Sequence, residues 1–186
     1  MPLSAFATVP RAEDVPVPTT ATVAAPAAGS VPWPAPTAFA ARVLCLGNDL
    51  LADDAFGLVA AEHLRERLPP AVDVVFSAEA GFALLDYLDG TPVLVVVDVV
   101  LTGKARPGTV SVFGAAELRG APGNSPHYVG LFESLDLGRA LGMAVPERVA
   151  IVVVEAADCL TIGGAMHPDV RAAVSEVADR VEAIIG

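Results

Sequence analysis

The feature that most constrains the fold is an aliphatic run at residues 92–98, with the sequence PVLVVVD. Such a run is too short to span a bilayer and is typical of a central parallel strand covered on both faces. Other apolar runs occur at 42–47, 72–76 and 148–154, and helical patterns separate them. This alternation predicts an α/β fold, a three-layer α/β/α sandwich around a mostly parallel twisted sheet of about five strands.

The segments between these strands are predicted from periodicity and from turn residues. Helices are expected at 54–68, 80–88 and 128–141, and a last helix after Pro168, while residues 109–113 are expected to form a short edge strand. In the 54–68 helix we expect His63 on the solvated face, and we expect His167 in the turn that enters the last helix. The apolar faces of the first and last helices are predicted to contain Leu58, Ala61, Leu64, Leu68, Val170, Val174, Val177, Val181 and Ile184.

Residues 1–37 differ in composition from the rest of the chain. They contain eight of the 16 prolines, with Ala, Thr and Val between them. Prolines at this density prevent a continuous helix or sheet ladder, so we expect a disordered Pro/Ala-rich tail there. The predicted folded domain is therefore residues 38–186.

The overall charge restricts the classes of partner. A formal net charge of -11 disfavours nucleic acid and anionic membranes and suits a basic protein or a cation. The chain does not open with a basic segment followed by an apolar core, so a cytoplasmic protein is expected. Cys45 and Cys159 lie in apolar surroundings without metal-type spacing, which favours buried, reduced thiols.

Three acidic positions are candidates for a site. Asp53 and Asp54 follow the first strand and open a helix, so either can be an N-cap or can point towards the sheet edge. Asp98 is predicted to end the most apolar strand, where it either binds local backbone amides or binds a cation or reacting group. Ligands in open α/β sheets bind at the carboxyl ends of the strands, so both positions fit a site.

His127 is a further candidate, because it lies in a Gly/Pro-rich connection of the kind that carries function on a rigid sheet. Two carboxylates and an imidazole form a mixed oxygen and nitrogen set, which suits Zn, Ni or Fe better than Mg²⁺ or Ca²⁺. The same three groups can also run general acid–base chemistry without metal. Spacing in the sequence does not separate these alternatives.

Three motifs in order along the chain resemble those of the hydrogenase maturation endopeptidases, which trim the C-terminal extension from the large subunit of nickel–iron hydrogenases. Residues 47–57 (GNDLLADDAFG) resemble the opening motif G-N-x-L-x-x-D-[DE]-x-x-G of that family. Residues 97–99 (VDV), followed by PGT at 107–109, resemble the second motif. Residues 125–131 (SPHYVGL) resemble the motif S-x-H-x-x-G-L. The resemblance covers about residues 42–185.

The resemblance implies that Asp54, Asp98 and His127 form a metal-binding and catalytic cluster, with Asp53 as the structural cap. It implies that nickel is recognised in the precursor, or bound at these three residues, and that the partner is a hydrogenase large-subunit precursor. The implied enzyme is a nickel-recognising endopeptidase that cleaves one peptide bond near the C-terminus of that precursor. A metal-polarised carbonyl or water, assisted by a carboxylate, is the expected mechanism.

The chain departs from the family pattern at two places, and the first of them keeps alternatives open. Many members have a Gly-Gly-Thr type stretch after the second strand, where this chain has SAEAG at 77–81, and Ala55 replaces a common glycine. The altered stretch retains only Gly81 and adds Glu79, a carboxylate that can approach the cluster. It also favours the alternative of a non-catalytic, metal-sensing module that binds the precursor. A small-molecule hydrolase on a similar sandwich is a third reading.

Overall fold

A computed structural model of the protein describes residues 39–114, 117 and 126–186, with only the backbone for 126–129. The predicted tail, residues 1–37, lies outside the described residues. The five strands are β1 (Ala41–Leu46), β2 (Val72–Ser77), β3 (Val93–Val100), β4 (Val110–Gly114) and β5 (Arg148–Glu155). The α-helices are α1 (Phe56–Arg67), α2 (Pro126–Ala140), α3 (Pro168–Ala172) and α4 (Val174–Ile185), and 3₁₀ helices lie at Asp53–Ala55 and Gly81–Tyr87.

The strands form one sheet in the order β2-β1-β3-β5-β4. All neighbouring pairs are parallel except β4, which is an antiparallel edge strand against β5. The predicted fold class and the predicted edge strand are therefore confirmed.

Strand β3 lies at the centre because its residues are apolar on both faces. Val95 and Val97 pack on one face with residues of α1 and α4, such as Leu64 and Val181. Leu94, Val96 and Ile151 pack on the other face with the Gly81–Tyr87 3₁₀ helix and with α2, through Leu84, Leu88, Leu131 and Leu135. One cluster lies on each face of the sheet, between the sheet and the helices, so the fold has three layers.

Several predicted element boundaries are corrected by the structure. Strand β3 does not end at Asp98 but continues to Val100, because β5 is long enough to pair with it as far as Glu155. The last helix is divided into α3 and α4 at Ala173, whose N–H bonds to the carbonyls of Asp169 and Val170. The short helix predicted at 80–88 is a 3₁₀ helix.

The predicted helix faces agree with the structure except at Leu58, which is half-buried and belongs to neither core cluster, and at His63. Its Nε2 is buried and has no hydrogen-bond partner among the described residues, so the prediction that His63 is solvated is wrong. Position 63 follows the buried Ala60 by three residues and therefore lies on the same side of α1. In the described part of the chain, no helix is long and apolar enough to cross a membrane.

Candidate active site

The connection between β1 and α1 folds back tightly onto the end of β1, and two glycines make this possible. Gly47 has φ +150°, and a Cβ there would collide with the carbonyl oxygen of Asp54. A Cβ on Gly57 would collide with the carbonyl oxygen of Leu46. Backbone therefore packs on backbone at both ends of the first motif, which holds the Asp53–Ala55 3₁₀ helix against the carboxyl end of β1.

Asp53 is a buried clamp. Its side chain is 1% exposed, and Oδ2 accepts hydrogen bonds from the backbone N–H groups of Ala157 (2.7 Å) and Asp158 (2.8 Å). Oδ1 accepts from the N–H of His167 (2.6 Å). No side-chain bond caps its own 3₁₀ helix, for which Ala52 is the N-cap residue. The prediction that Asp53 is a helix cap is therefore wrong. Its role is nevertheless structural, because its side chain holds the loop after β5.

Asp54 and Asp98 lie at the same edge of the sheet. The register pairs Cys45 with Val97, so Asp98 is level with Leu46, the last residue of β1. Asp98 is fully buried, and its Oδ1 accepts a hydrogen bond from the N–H of Val99 at 2.7 Å. Asp54 is half-buried in the 3₁₀ helix that packs on the end of β1.

The pKa of the Cys159 thiol is affected by the negative charges at this end of the sheet. Burial, and then the charges of Asp54, Asp53 and Asp98, raise the pKa of Cys159 to about 12. Burial raises the pKa of Cys45 to about 12 as well. Both cysteines are free thiols, as predicted, and both remain protonated near neutral pH.

His127 lies in the first turn of α2, and its side chain is outside the described residues. One helical turn later, Leu131 is buried in the cluster that contains Leu94 and Val96. Because side chains alternate along a strand, Asp98 lies on the same face of β3 as those two residues. Helix α2 therefore begins over the face of the sheet that carries Asp98.

The structure thus brings Asp54 and Asp98 to one edge and places the backbone of His127 in the helix that covers that face. Among the side chains that are described, no three His, Cys, Asp or Glu residues are grouped so as to hold a metal ion. The side chain of His127 is not among them. The predicted cluster of Asp54, Asp98 and His127 consequently remains a prediction.

A contact between two glycines fixes the start of α2. A Cβ on Gly130 would collide with the backbone of Gly81, which has φ +63°. The hydroxyl of Ser134 donates to the carbonyl oxygen of Gly81 at 3.1 Å. Gly81 is the only residue of the 77–81 stretch that matches the family pattern, and it is also the residue on which the third motif packs. Glu79 of that stretch is exposed.

Glu155 was not identified from the sequence, although it has the same pattern as Asp98, a carboxylate at the carboxyl end of an aliphatic strand. It is 5% exposed. Oε1 accepts from the N–H groups of Thr102 (2.8 Å) and Gly103 (2.7 Å), and Oε2 accepts from the Thr102 hydroxyl (2.7 Å). Glu155 therefore holds the loop that follows β3, through residues that begin two positions after the last residue of that strand.

Solved structures share this fold. The hydrogenase maturating endopeptidase HybD from Escherichia coli superposes with a TM-score of 0.68 and 28% identity, over 78% of this chain and 91% of that chain. The [NiFe] hydrogenase maturation protease HybD from Thermococcus kodakarensis gives a TM-score of 0.63 and 27% identity, over 78% of this chain and 99% of that one. The fold is that of an endopeptidase class that matures hydrogenases.

The sequence comparisons identify the family. The family model described as hydrogenase maturation protease matches residues 59–184. The hydrogenase 2 maturation protease of Escherichia coli K12 is 32% identical over 59% of this chain and 69% of its own length. The hydrogenase expression/formation protein HupM of Azotobacter chroococcum is 33% identical over 70% of this chain and 64% of its own. The chain belongs to the hydrogenase maturation protease family, which confirms the resemblance seen in its motifs.

Proposed function

We propose that this protein is a cytoplasmic endopeptidase that removes the C-terminal extension from a nickel-loaded large-subunit precursor of a [NiFe] hydrogenase. The observation that carries the proposal is that two motif aspartates, Asp54 and the fully buried Asp98, both lie at the carboxyl end of the sheet. Membership of the maturation protease family supports the reaction, and the hydrogenases for which its relatives are named support the client.

The donor set fits nickel. Two carboxylates and an imidazole give the oxygen and nitrogen ligands that suit this metal, and Asp54, Asp98 and His127 are the residues that would hold it. When present, the metal supplies Lewis acidity towards a carbonyl or a water. The net charge of -11 and the aspartates at this edge favour the approach of a cation.

The chain itself supplies the proton chemistry of peptide hydrolysis. One of the two carboxylates accepts a proton from the attacking water as the new C–O bond forms at the scissile carbonyl. The proton then passes to the leaving amine as the C–N bond breaks, so that no net proton remains on the enzyme. The buried position of Asp98 and the fixed backbone around Asp54 orient these groups before substrate binds.

The proposal is tested by processing a nickel-loaded precursor with the wild type and with Asp98→Ala and His127→Ala variants, and by measuring the intact mass of the precursor. Wild type should remove one C-terminal peptide, and both variants should lose at least about a hundredfold in rate. Glu66→Ala, at an exposed carboxylate of α1 away from the site, is the matched control and should process normally. Normal processing by the Asp98 and His127 variants would contradict the proposal.

A second function, a precursor-binding module that does not cleave, is favoured by the altered stretch at 77–81. There the hydroxyl of Ser77 donates to the Tyr87 hydroxyl and accepts from the N–H of Glu79, so these side chains serve the local turn. A precursor that binds the wild-type protein tightly but keeps its full mass would establish this second function instead.

A further inference from the structure

Three large aliphatic side chains are exposed beside the candidate site. Leu50 is 64% exposed, Leu160 79% and Ile162 80%. We call these three side chains the apolar platform. Leu50 belongs to the first motif and lies only a few residues before Asp54, yet the fold does not use its side chain for packing.

The platform is built by two segments whose backbones pair with each other. Leu51 and Ile162 form an antiparallel bridge. On either side of that bridge, the N–H of Gly163 donates to the carbonyl of Leu50 at 2.8 Å, and the N–H of Ala52 donates to the carbonyl of Thr161 at 3.1 Å. The turn of the first motif and the loop after β5 therefore lie side by side.

Two aspartates hold this surface in place. Asp53 binds the start and the end of the loop after β5, through the N–H groups of residues 157, 158 and 167. Within the loop, Asp158 Oδ1 accepts from the N–H groups of Leu160 (2.8 Å) and Thr161 (3.1 Å). The exposure of Leu160 and Ile162 is thus fixed by hydrogen bonds from both ends. Side chains held outward in this way reduce the entropy lost when a partner binds.

The rim of the platform is acidic. Apart from the buried Asp53, the segments 47–57 and 156–166 contain three acidic residues that are exposed or half-buried, Asp49, Asp54 and Asp158, and they contain no Lys or Arg. An apolar centre with negative charges around it is complementary to a segment that carries both aliphatic and basic side chains.

We propose that the apolar platform and its acidic rim are the docking surface for a segment of the precursor that carries aliphatic side chains and at least one Lys or Arg. This inference rests on the proposed function, since the platform adjoins Asp54 and so lies where the substrate of that site must pass. A bound segment covers Leu50, Leu160 and Ile162 and directs the rest of the chain towards the aspartates.

The test uses the full-length protein with Leu160→Gln and Ile162→Thr together, and Leu141→Gln as the matched control. Leu141 is 66% exposed and follows α2 at the opposite end of the sheet from the platform. The Kd for full-length precursor is measured by calorimetry, and cleavage by intact mass. We expect the double variant to bind about tenfold or more weakly, and the control to bind within about twofold of wild type. Asp49→Asn should reduce the dependence of Kd on salt.

The outcomes separate the two proposals. If wild type and the double variant bind and cleave alike, the platform has no docking role and the proposed function stands. If wild type binds through the platform but does not cleave, docking stands and the proteolytic function fails. If the double substitution converts a dimer into a monomer in sedimentation, or raises amide exchange only in residues 1–37, with Kd unchanged, then a second copy or the chain's own N-terminal segment covers the platform, and the inference is overturned.

Discussion

Asp53 and Asp54 are adjacent in the sequence and have different surroundings. Asp53 is enclosed and accepts three backbone hydrogen bonds from the loop after β5, whereas Asp54 is half-buried at the sheet edge. A buried carboxylate that accepts hydrogen bonds from three amides contributes several times more to the free energy of unfolding than an exposed carboxylate does. Substitution of Asp53 should therefore lower stability, whereas substitution of Asp54 should lower activity.

Asp53→Ala should lower the free energy of unfolding by about 2–4 kcal/mol, because three buried N–H groups lose a charged acceptor. Asp54→Ala should change it by less than about 1 kcal/mol and should instead abolish processing. Urea unfolding at neutral pH measures the first effect, and precursor mass measures the second. Equal destabilisation by both substitutions would contradict this division of roles.

Gly130 is sensitive to a single methyl group, because its Cα faces the backbone of Gly81. Gly130→Ala should destabilise the protein by about 1–3 kcal/mol, as backbone cannot move aside as a flexible side chain can. Ser134→Ala removes only the hydrogen bond to Gly81 and should cost about 1 kcal/mol. Thermal unfolding compares the two. A Gly130→Ala protein as stable as wild type would show that α2 does not pack this closely.

At the scale of elements, the loops at the carboxyl edge depend on buried carboxylates. Glu155 at the end of β5 binds the loop after β3, as Asp53 binds the loop after β5. Glu155→Ala should increase hydrogen exchange of the Thr102 and Gly103 amides by about tenfold or more, because their acceptor is lost. Glu147→Ala, at an exposed position just before β5, should leave these amides unchanged. Unaltered exchange in the Glu155 variant would contradict the role given to this carboxylate.

Strand β1 carries a thiol whose titration opposes folding at high pH. Burial raises the pKa of Cys45 from 9.0 to about 12. Above pH 9 the unfolded chain releases the thiol proton while the folded chain keeps it, so stability present below pH 9 is lost as the pH rises towards 12. Cys45→Ala should make the free energy of unfolding less dependent on pH in this window. An identical slope for wild type and variant would contradict burial of the thiol.

For the whole molecule, sequence patterns predict the architecture well, because a doubly covered strand such as β3 and amphipathic helices such as α4 leave few arrangements. They do not predict the clamp made by Asp53, since its partners lie more than a hundred residues away and donate through backbone N–H groups. Nor do they predict that β3 continues beyond Asp98 to Val100, because the end of a strand depends on the length of its neighbour, here β5.

The candidate site was predictable in part. Asp98 is conspicuous because it interrupts an aliphatic run, and Glu155 has the same signal at the end of β5. The exposed side chains of Leu160 and Ile162 give no such signal, because apolar residues in a sequence are expected in the core. Their exposure follows from loop hydrogen bonds that only the structure reveals.

The most direct test of the central claim compares nickel-loaded and nickel-free large-subunit precursor, each incubated with the wild-type protein and analysed by intact mass spectrometry. The account predicts that the loaded precursor loses one C-terminal peptide and that the nickel-free precursor keeps its full mass. Equal cleavage of both forms would contradict recognition of nickel, and cleavage of neither would contradict the proteolytic function itself.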